Sequence, residues 1–377
     1  MGSRYAFESK FRHHILKCSK CGFCQAVCPV YGVTIRSTLN ARGKMLLLKE
    51  VIDGVIELNN ELIEPIFQCT MCGACTDNCP SGINVPDIIR QVRKDLLHAD
   101  SCHPVIPGAH KMLNRHTNIY GEENFPDFGR VWAKKADYVF FIGCVGAYRE
   151  KKATAAILKL LDNLEINYSV INEICCSGIL EDIGDKIRDS NISIIAERIL
   201  ATGCGTVITS CPYCLRTFNG TAYKTLHEHN IKFIHISQFI SSADFNISTD
   251  KKITYHDPCD LGRHCGIYDE PRKIIAKIAT NFIEMRHNKK KSLCCGAGGG
   301  VRGSFAASSV SMAKRRLNEA EEIGAEIILT ECNSCIHNFN NGKFRNQKFK
   351  ICTTYELINE LIEANRESAS EDLKLAN

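Results

Sequence analysis

No apolar run in the 377 residues approaches the roughly 18–20 that a membrane helix needs, which excludes a bilayer-spanning helix. The opening stretch, MGSRYAFESKFRHHILK, carries charges where a secretion signal would place its apolar centre. The expected location is therefore cytoplasmic, with any hold on the inner face of a membrane supplied by another subunit. Low-complexity tracts are missing too. With 44% apolar residues spread evenly, the chain reads as globular, with two or three domains. Tryptophan is reduced to Trp132, expected as a packing anchor at a domain junction. No flavin or haem motif is recognisable, and GAGGGVRG lacks the spacing of a dinucleotide loop.

Cysteine, by contrast, is abundant: there are 22. Without an export signal this density points to metal or redox chemistry rather than to disulfides. CSKCGFCQAVCP places Cys18, Cys21, Cys24 and Cys28 before Pro29, and CTMCGACTDNCP places Cys69, Cys72, Cys75 and Cys79 before Pro80. Both are the C-x2-C-x2-C-x3-C-P run, in which three close thiolates hold one [4Fe-4S] cube and the fourth reaches to the other. By that rule Cys79 completes the set of Cys18, Cys21 and Cys24, and Cys28 that of Cys69, Cys72 and Cys75. A zinc knuckle would have no use for the regular fourth cysteine and proline. The intervening RGKMLLLKEVIDGVIEL has helical spacing, so residues 1–99 read as a helical dicluster ferredoxin domain. Two cubes of about −2 each reduce the formal charge of +5 to about +1, and no nucleic-acid partner is expected.

Residues 100–136, rich in proline and glycine with little periodicity, read as a linker in which Cys102 is structural. Beyond it the chain repeats itself. DYVFFIGC is answered by KITYHDPC, NEICCSG by KSLCCGAG, and GCGTVITSCPYCLRTFN by GAEIILTECNSCIHNFN. Strands alternating with helices imply parallel sheets whose carboxyl ends carry the ligand loops. The expected fold is α/β: the helical ferredoxin followed by two repeated α/β units with parallel sheets, at 137–247 and 248–377. Cys144, Cys175, Cys176, Cys211 and Cys214 form one five-thiol set, and Cys259, Cys294, Cys295, Cys332 and Cys335 the other. Neighbouring Cα atoms lie about 3.8 Å apart, below the usual disulfide span. The pairs Cys175–Cys176 and Cys294–Cys295 therefore suit two thiolates on one metal centre. Gly296, Gly298 and Gly299 let backbone N–H groups approach such a centre. Cys204, Cys265 and Cys352 have no counterpart in the other repeat and read as buried or spare thiols.

With these motifs the chain resembles proteins carrying the cysteine-rich, CCG-type domain. These include the B and D subunits of heterodisulfide reductase and the iron–sulfur subunits of lactate, glycolate and anaerobic glycerol-3-phosphate oxidation. The ferredoxin fused to two repeats is the layout of the D subunit. The resemblance implies that each five-cysteine set holds a noncubane [4Fe-4S] cluster, and that the facing pair reduces a disulfide of the CoM–CoB type. It also implies an electron donor on another chain, either a membrane cytochrome b subunit or a soluble flavin subunit. Asp260 stands where methanogen-type sequences carry histidine beside the cysteine, which leaves His256 and His264 as proton-donor candidates. Arg263 and Arg302 are candidates for holding an acidic substrate tail. The alternative is an electron-transfer subunit of a lactate, glycolate or glycerol-3-phosphate dehydrogenase complex.

Overall fold

The computed structural model describes residues 4–99, 101, 103, 105–129 and 136–375. Cys102 and Trp132 lie outside the described residues. The amino-terminal part is built on three helices, Ala6–Leu16, Ala41–Ile52 and Val85–His98. The last places Val85, Ile88, Ile89, Val92 and Leu96 on one buried face, and Pro86 at its start needs no N–H partner. Asn40 caps the second helix by accepting from the Gly43 N–H at 2.9 Å. In the cysteine loops Lys20 and Gly22, and likewise Met71 and Gly73, adopt positive φ, so each three-cysteine run is wound in the same way.

Strands β1 (Tyr138–Phe141), β2 (Tyr168–Val170), β3 (Thr206–Thr209) and β4 (Lys232–His235) form a parallel sheet in the order β2-β1-β3-β4. Strands β5 (Ile253–Tyr255), β6 (Ile327–Leu329) and β7 (Lys350–Cys352) form a second parallel sheet in that order. The place of β2 in the second sheet is reduced to a single bridge, Ile253 to Phe282. One apolar core spans both sheets: Phe140, Ile142 and Ile208 pack with Ile253, Tyr255, Ile327, Leu329 and Ile358.

Residues 100–136 contain more structure than their composition suggests. Val105–His116 is a helix whose Ile106 and Leu113 bury into the ferredoxin core. Pro107 falls in its first turn, where the missing N–H costs nothing. Beyond it the Thr117 carbonyl accepts from the Cys175 N–H at 2.9 Å, so the segment read as a linker reaches the first repeat's cysteine loop.

Buried charge ties the parts together. Asp182 of the first repeat takes Arg90 of the ferredoxin part at 3.1 Å and Arg216 at 2.9 Å, and Arg216 also holds Asp260 of the second repeat at 2.8 Å. Burial pushes the Asp182 carboxyl up, but the two guanidinium groups outweigh it and hold it well below the usual range.

Candidate metal centres

Cys18, Cys21, Cys24 and Cys79 line one small cavity, while Cys28, Cys69 and Cys72 line a neighbouring one; Cys75 borders both. Burial, and then the charges of Cys72, Cys69 and Cys28, push the Cys75 thiol well up. Thiols gathered so closely can ionise together only around a cation, which is the donor chemistry of an iron–sulfur cluster. Cys21 is exposed whereas Cys72 is buried, so the first site meets solvent and the second faces inward.

In the first repeat, Cys144 follows β1, the pair follows β2, and Cys211 and Cys214 follow β3 at the start of helix Pro212–Phe218. The sulfurs of Cys144 and Cys175 are 3.9 Å apart, and those of Cys176 and Cys214 are 3.4 Å apart. In the second, Cys335 and Cys295 are 3.2 Å apart, and Cys294 contacts Cys259. The pairs behave alike. Contact with Cys144 drives Cys175 well up, and contact with Cys259 drives Cys294 well up. Cys176 and Cys295 are held well below the ordinary thiol range, chiefly by hydrogen bonds from Cys175 and Cys294 respectively.

The sites also meet each other. Cys72 contacts Cys294, joining the inner ferredoxin site to the second repeat. Cys332 lies close enough to Cys211 for its charge to oppose ionisation there. A Cβ on Gly146 would come within 2.8 Å of Asn333 Nδ2, so the loops carrying Cys144 and Cys332 pack directly on one another.

The residues expected to handle substrate or protons are placed as follows. Arg263 donates from Nε to the Cys72 carbonyl at 2.7 Å and from Nη1 to the carbonyls of Ser292 at 2.8 Å and Lys290 at 3.1 Å. His264 Nε2 bonds the Met71 carbonyl at 2.9 Å. Both therefore fasten the second repeat to the ferredoxin loop. Arg302 donates to the Tyr120 hydroxyl at 3.1 Å. Arg263 Nη2 and Arg302 Nη1 are buried without a nitrogen or oxygen partner. The thiolates of Cys72, Cys259 and Cys294 raise the Arg263 pKa against the effect of burial, which marks its surroundings as suited to an anionic group. Asp260 is paired with Arg216. Gly296 donates its N–H to Cys294 Sγ at 3.4 Å. Gly298 and Gly299 have other neighbours: a Cβ there would meet the Thr70 carbonyl at 2.6 Å and the Cys69 carbonyl at 2.3 Å. These two glycines let the loop lie flat on the ferredoxin backbone. Ser177, the counterpart of Gly296, holds φ +60° and is secured by Asn191, which donates to its hydroxyl at 2.7 Å.

Sequence reasoning missed Tyr120, which stands near enough to Cys144 for the thiolate to oppose its ionisation. It also missed Glu173, which accepts the Gly143 N–H at 2.7 Å and is pushed by burial up to about 8. No cysteine spacing points to either residue.

The cysteine-rich domain family matches residues 138–219 and 253–340, and the 4Fe-4S dicluster domain family matches residues 14–83. The D subunit of the dihydromethanophenazine:CoB–CoM heterodisulfide reductase of Methanosarcina acetivorans is 27% identical, over 86% of this chain and 88% of its own. The chain thus carries a 4Fe-4S dicluster domain and two cysteine-rich domains, and it is similar to the D subunits of heterodisulfide reductase. This reductase-like chain also matches the EtfAB:quinone oxidoreductase of Syntrophomonas wolfei at 25% identity, over 75% of this chain and 48% of that one. A solved structure of a hypothetical protein from Helicobacter pylori shares its fold, with a TM-score of 0.60 and 10% identity over 94% of this chain and 75% of the other. Among the described residues no helix of the reductase-like chain is long and apolar enough to cross a membrane.

Proposed function

We propose that the chain is the catalytic iron–sulfur subunit of a heterodisulfide reductase-like complex. It would accept electrons through two cubane [4Fe-4S] clusters and use two noncubane ones to reduce a CoM–CoB type disulfide to two thiols. The observation that carries this reading is the pair of complete five-thiol sets packed against each other through Gly146 and Asn333. When bound, the clusters supply single-electron transfer and a metal hold on thiolate leaving groups. The chain's own residues provide the order. Exposed Cys21 opens the outer ferredoxin site to a donor, and the Cys72–Cys294 contact leads inward to the second repeat. Arg263 offsets negative charge where these two sites meet. The four cluster sets are Cys18, Cys21, Cys24 and Cys79; Cys28, Cys69, Cys72 and Cys75; and the two five-cysteine sets. Disulfide chemistry requires four loaded sites, hence about sixteen irons per chain. Anaerobic iron and sulfide analysis, with a reduced viologen and the CoM–CoB heterodisulfide as assay, tests this. Loading that stops near eight irons leaves the repeats without clusters and ends the proposal. Full loading without turnover of the heterodisulfide leaves an electron-transfer subunit, the reading that the likeness to the EtfAB:quinone oxidoreductase favours.

The donor, a membrane cytochrome b subunit or a soluble flavin subunit, would meet a basic surface. Lys17 and Lys20, which flank the first cysteines in sequence, are exposed, and Phe23 is 57% exposed. Such a face speeds the approach of an anionic reductant and slows a cationic one. In stopped flow, Lys17→Glu with Lys20→Glu should slow reduction by titanium(III) citrate by about 3–10-fold and leave reduced methyl viologen unslowed, with the difference closing at high salt. Equal rates for wild type and variant would place electron input elsewhere.

A further inference from the structure

We infer that Arg316 locks His256 into the tautomer that donates its Nε2–H to the Cys295 thiolate, and that this bond makes the second repeat's centre the easier of the two to reduce. The inference rests on the reading of the five cysteines as cluster ligands. His256 follows β5, is 1% exposed, and is fixed through its backbone N–H to the Leu329 carbonyl at 2.8 Å. Its ring meets Phe339 edge-on, with centroids 4.8 Å apart. Arg316, equally buried on helix Ala306–Glu322, donates from Nε to His256 Nδ1 at 3.1 Å. Glu319 holds the other side of that guanidinium and is itself bonded to His287.

A guanidinium N–H can only donate, so Nδ1 must be bare and the ring proton must sit on Nε2. Nε2 is buried and makes no formed hydrogen bond to any atom, sulfur included. A buried N–H is costly to leave without an acceptor, and the Cys295 sulfur is the acceptor at hand. A ring nitrogen of His256 and the sulfurs of Cys295 and Cys335 lie within 4.8 Å of one another, which places the Cys295 sulfur beside the ring.

The first repeat has no histidine at this place. The residue matching His256 there is Phe141, fully buried. Near Cys176 stands only a hydroxyl, that of Thr217, which is shared between this sulfur and the Tyr213 carbonyl 2.8 Å away. A hydrogen bond to a ligating thiolate strengthens as the centre gains negative charge, so it favours the reduced state. His256 is thereby a tuning group and Arg316 its positioning residue. The more easily reduced centre is also the one that touches the ferredoxin part through Cys72.

The test is an EPR-monitored redox titration of the full chain, reconstituted anaerobically, with iron content and thermal melts recorded for each variant. The second-repeat centre is assigned as the signal lost in Cys335→Ser. His256→Phe, which copies the first repeat, and Arg316→Met should shift that centre alone to lower potential, and His256→Asn and Arg316→Lys should restore part of the shift. Pulsed ENDOR should show a deuterium-exchangeable proton coupling that His256→Phe removes. An unchanged potential in an iron-replete, folded His256→Phe protein overturns the inference, as does a strong ¹⁴N coupling that makes His256 a ligand. Wild-type protein with no centre at the second repeat overturns both the inference and the ligand reading beneath it, and iron content distinguishes that result from the others.

Discussion

Replacing Cys295 with serine is expected to reduce heterodisulfide turnover to background, more than about 100-fold, while the two ferredoxin centres stay reducible. Loss of groups that merely support a metal ligand already costs about 10–100-fold, and Cys295 is proposed as a ligand itself. It is 4% exposed, its sulfur lies 3.2 Å from that of Cys335, and it stands beside Cys294 and His256. Serine oxygen is a harder donor that stays protonated near neutral pH, so it holds iron poorly in a sulfur-rich set. The ferredoxin ligands come from residues 18–79, outside the repeat. Cys265→Ser is the control: burial pushes that thiol up to about 12 with no other thiol near enough to affect it, and activity should be unchanged. A Cys295→Ser protein that keeps full turnover removes this residue from the mechanism.

Why the cysteine sets could be read from sequence is a matter of range. Within CSKCGFC, or within the pair at Cys294 and Cys295, ligand spacing is local, and the repeat shows twice which strand ends carry it. What joins the sites is not local. Arg263 lies 191 residues from the Cys72 carbonyl it holds, and Gly298 and Gly299 look like a cluster loop until the ferredoxin backbone is seen above them. Arg216 gives no sign in LRTF that it will neutralise Asp260. The helix Val105–His116 was hidden by Pro104, Pro107 and Gly108, because its apolar residues described as buried, Ile106 and Leu113, stand seven apart. Its partner surface belongs to the ferredoxin core, which no local pattern records. In the second sheet the strand matching β2 shrinks to one bridge, so a strict repeat would have placed one strand too many.

The strongest single tie among the three parts is another residue that reads as ordinary surface charge, Arg93 in RQVRKDLL. It is fully buried. Its guanidinium donates to the carbonyls of Ile66 at 3.1 Å, Phe67 at 2.9 Å and Cys69 at 2.8 Å in the ferredoxin part, Asp182 at 2.5 Å in the first repeat, and Gly299 at 2.9 Å in the second. Arg93→Met would fill much of the same space but leave five buried carbonyl oxygens without that partner. At about 1–3 kcal/mol for each one that water cannot reach, the expected loss exceeds about 4 kcal/mol. Lysine keeps the charge without the planar fork and should fall between. Arg90→Met, on the same helix but 31% exposed at its side chain, is expected to cost nearer 1 kcal/mol. Anaerobic thermal melts would rank the variants, and an Arg93→Met protein within about 1 kcal/mol of wild type would show that the three parts do not depend on this residue. If the loss is found, electron transfer from the ferredoxin part to the second repeat should slow in the same variant, because the Cys69 and Gly299 loops that Arg93 clamps are those that bring Cys72 against Cys294.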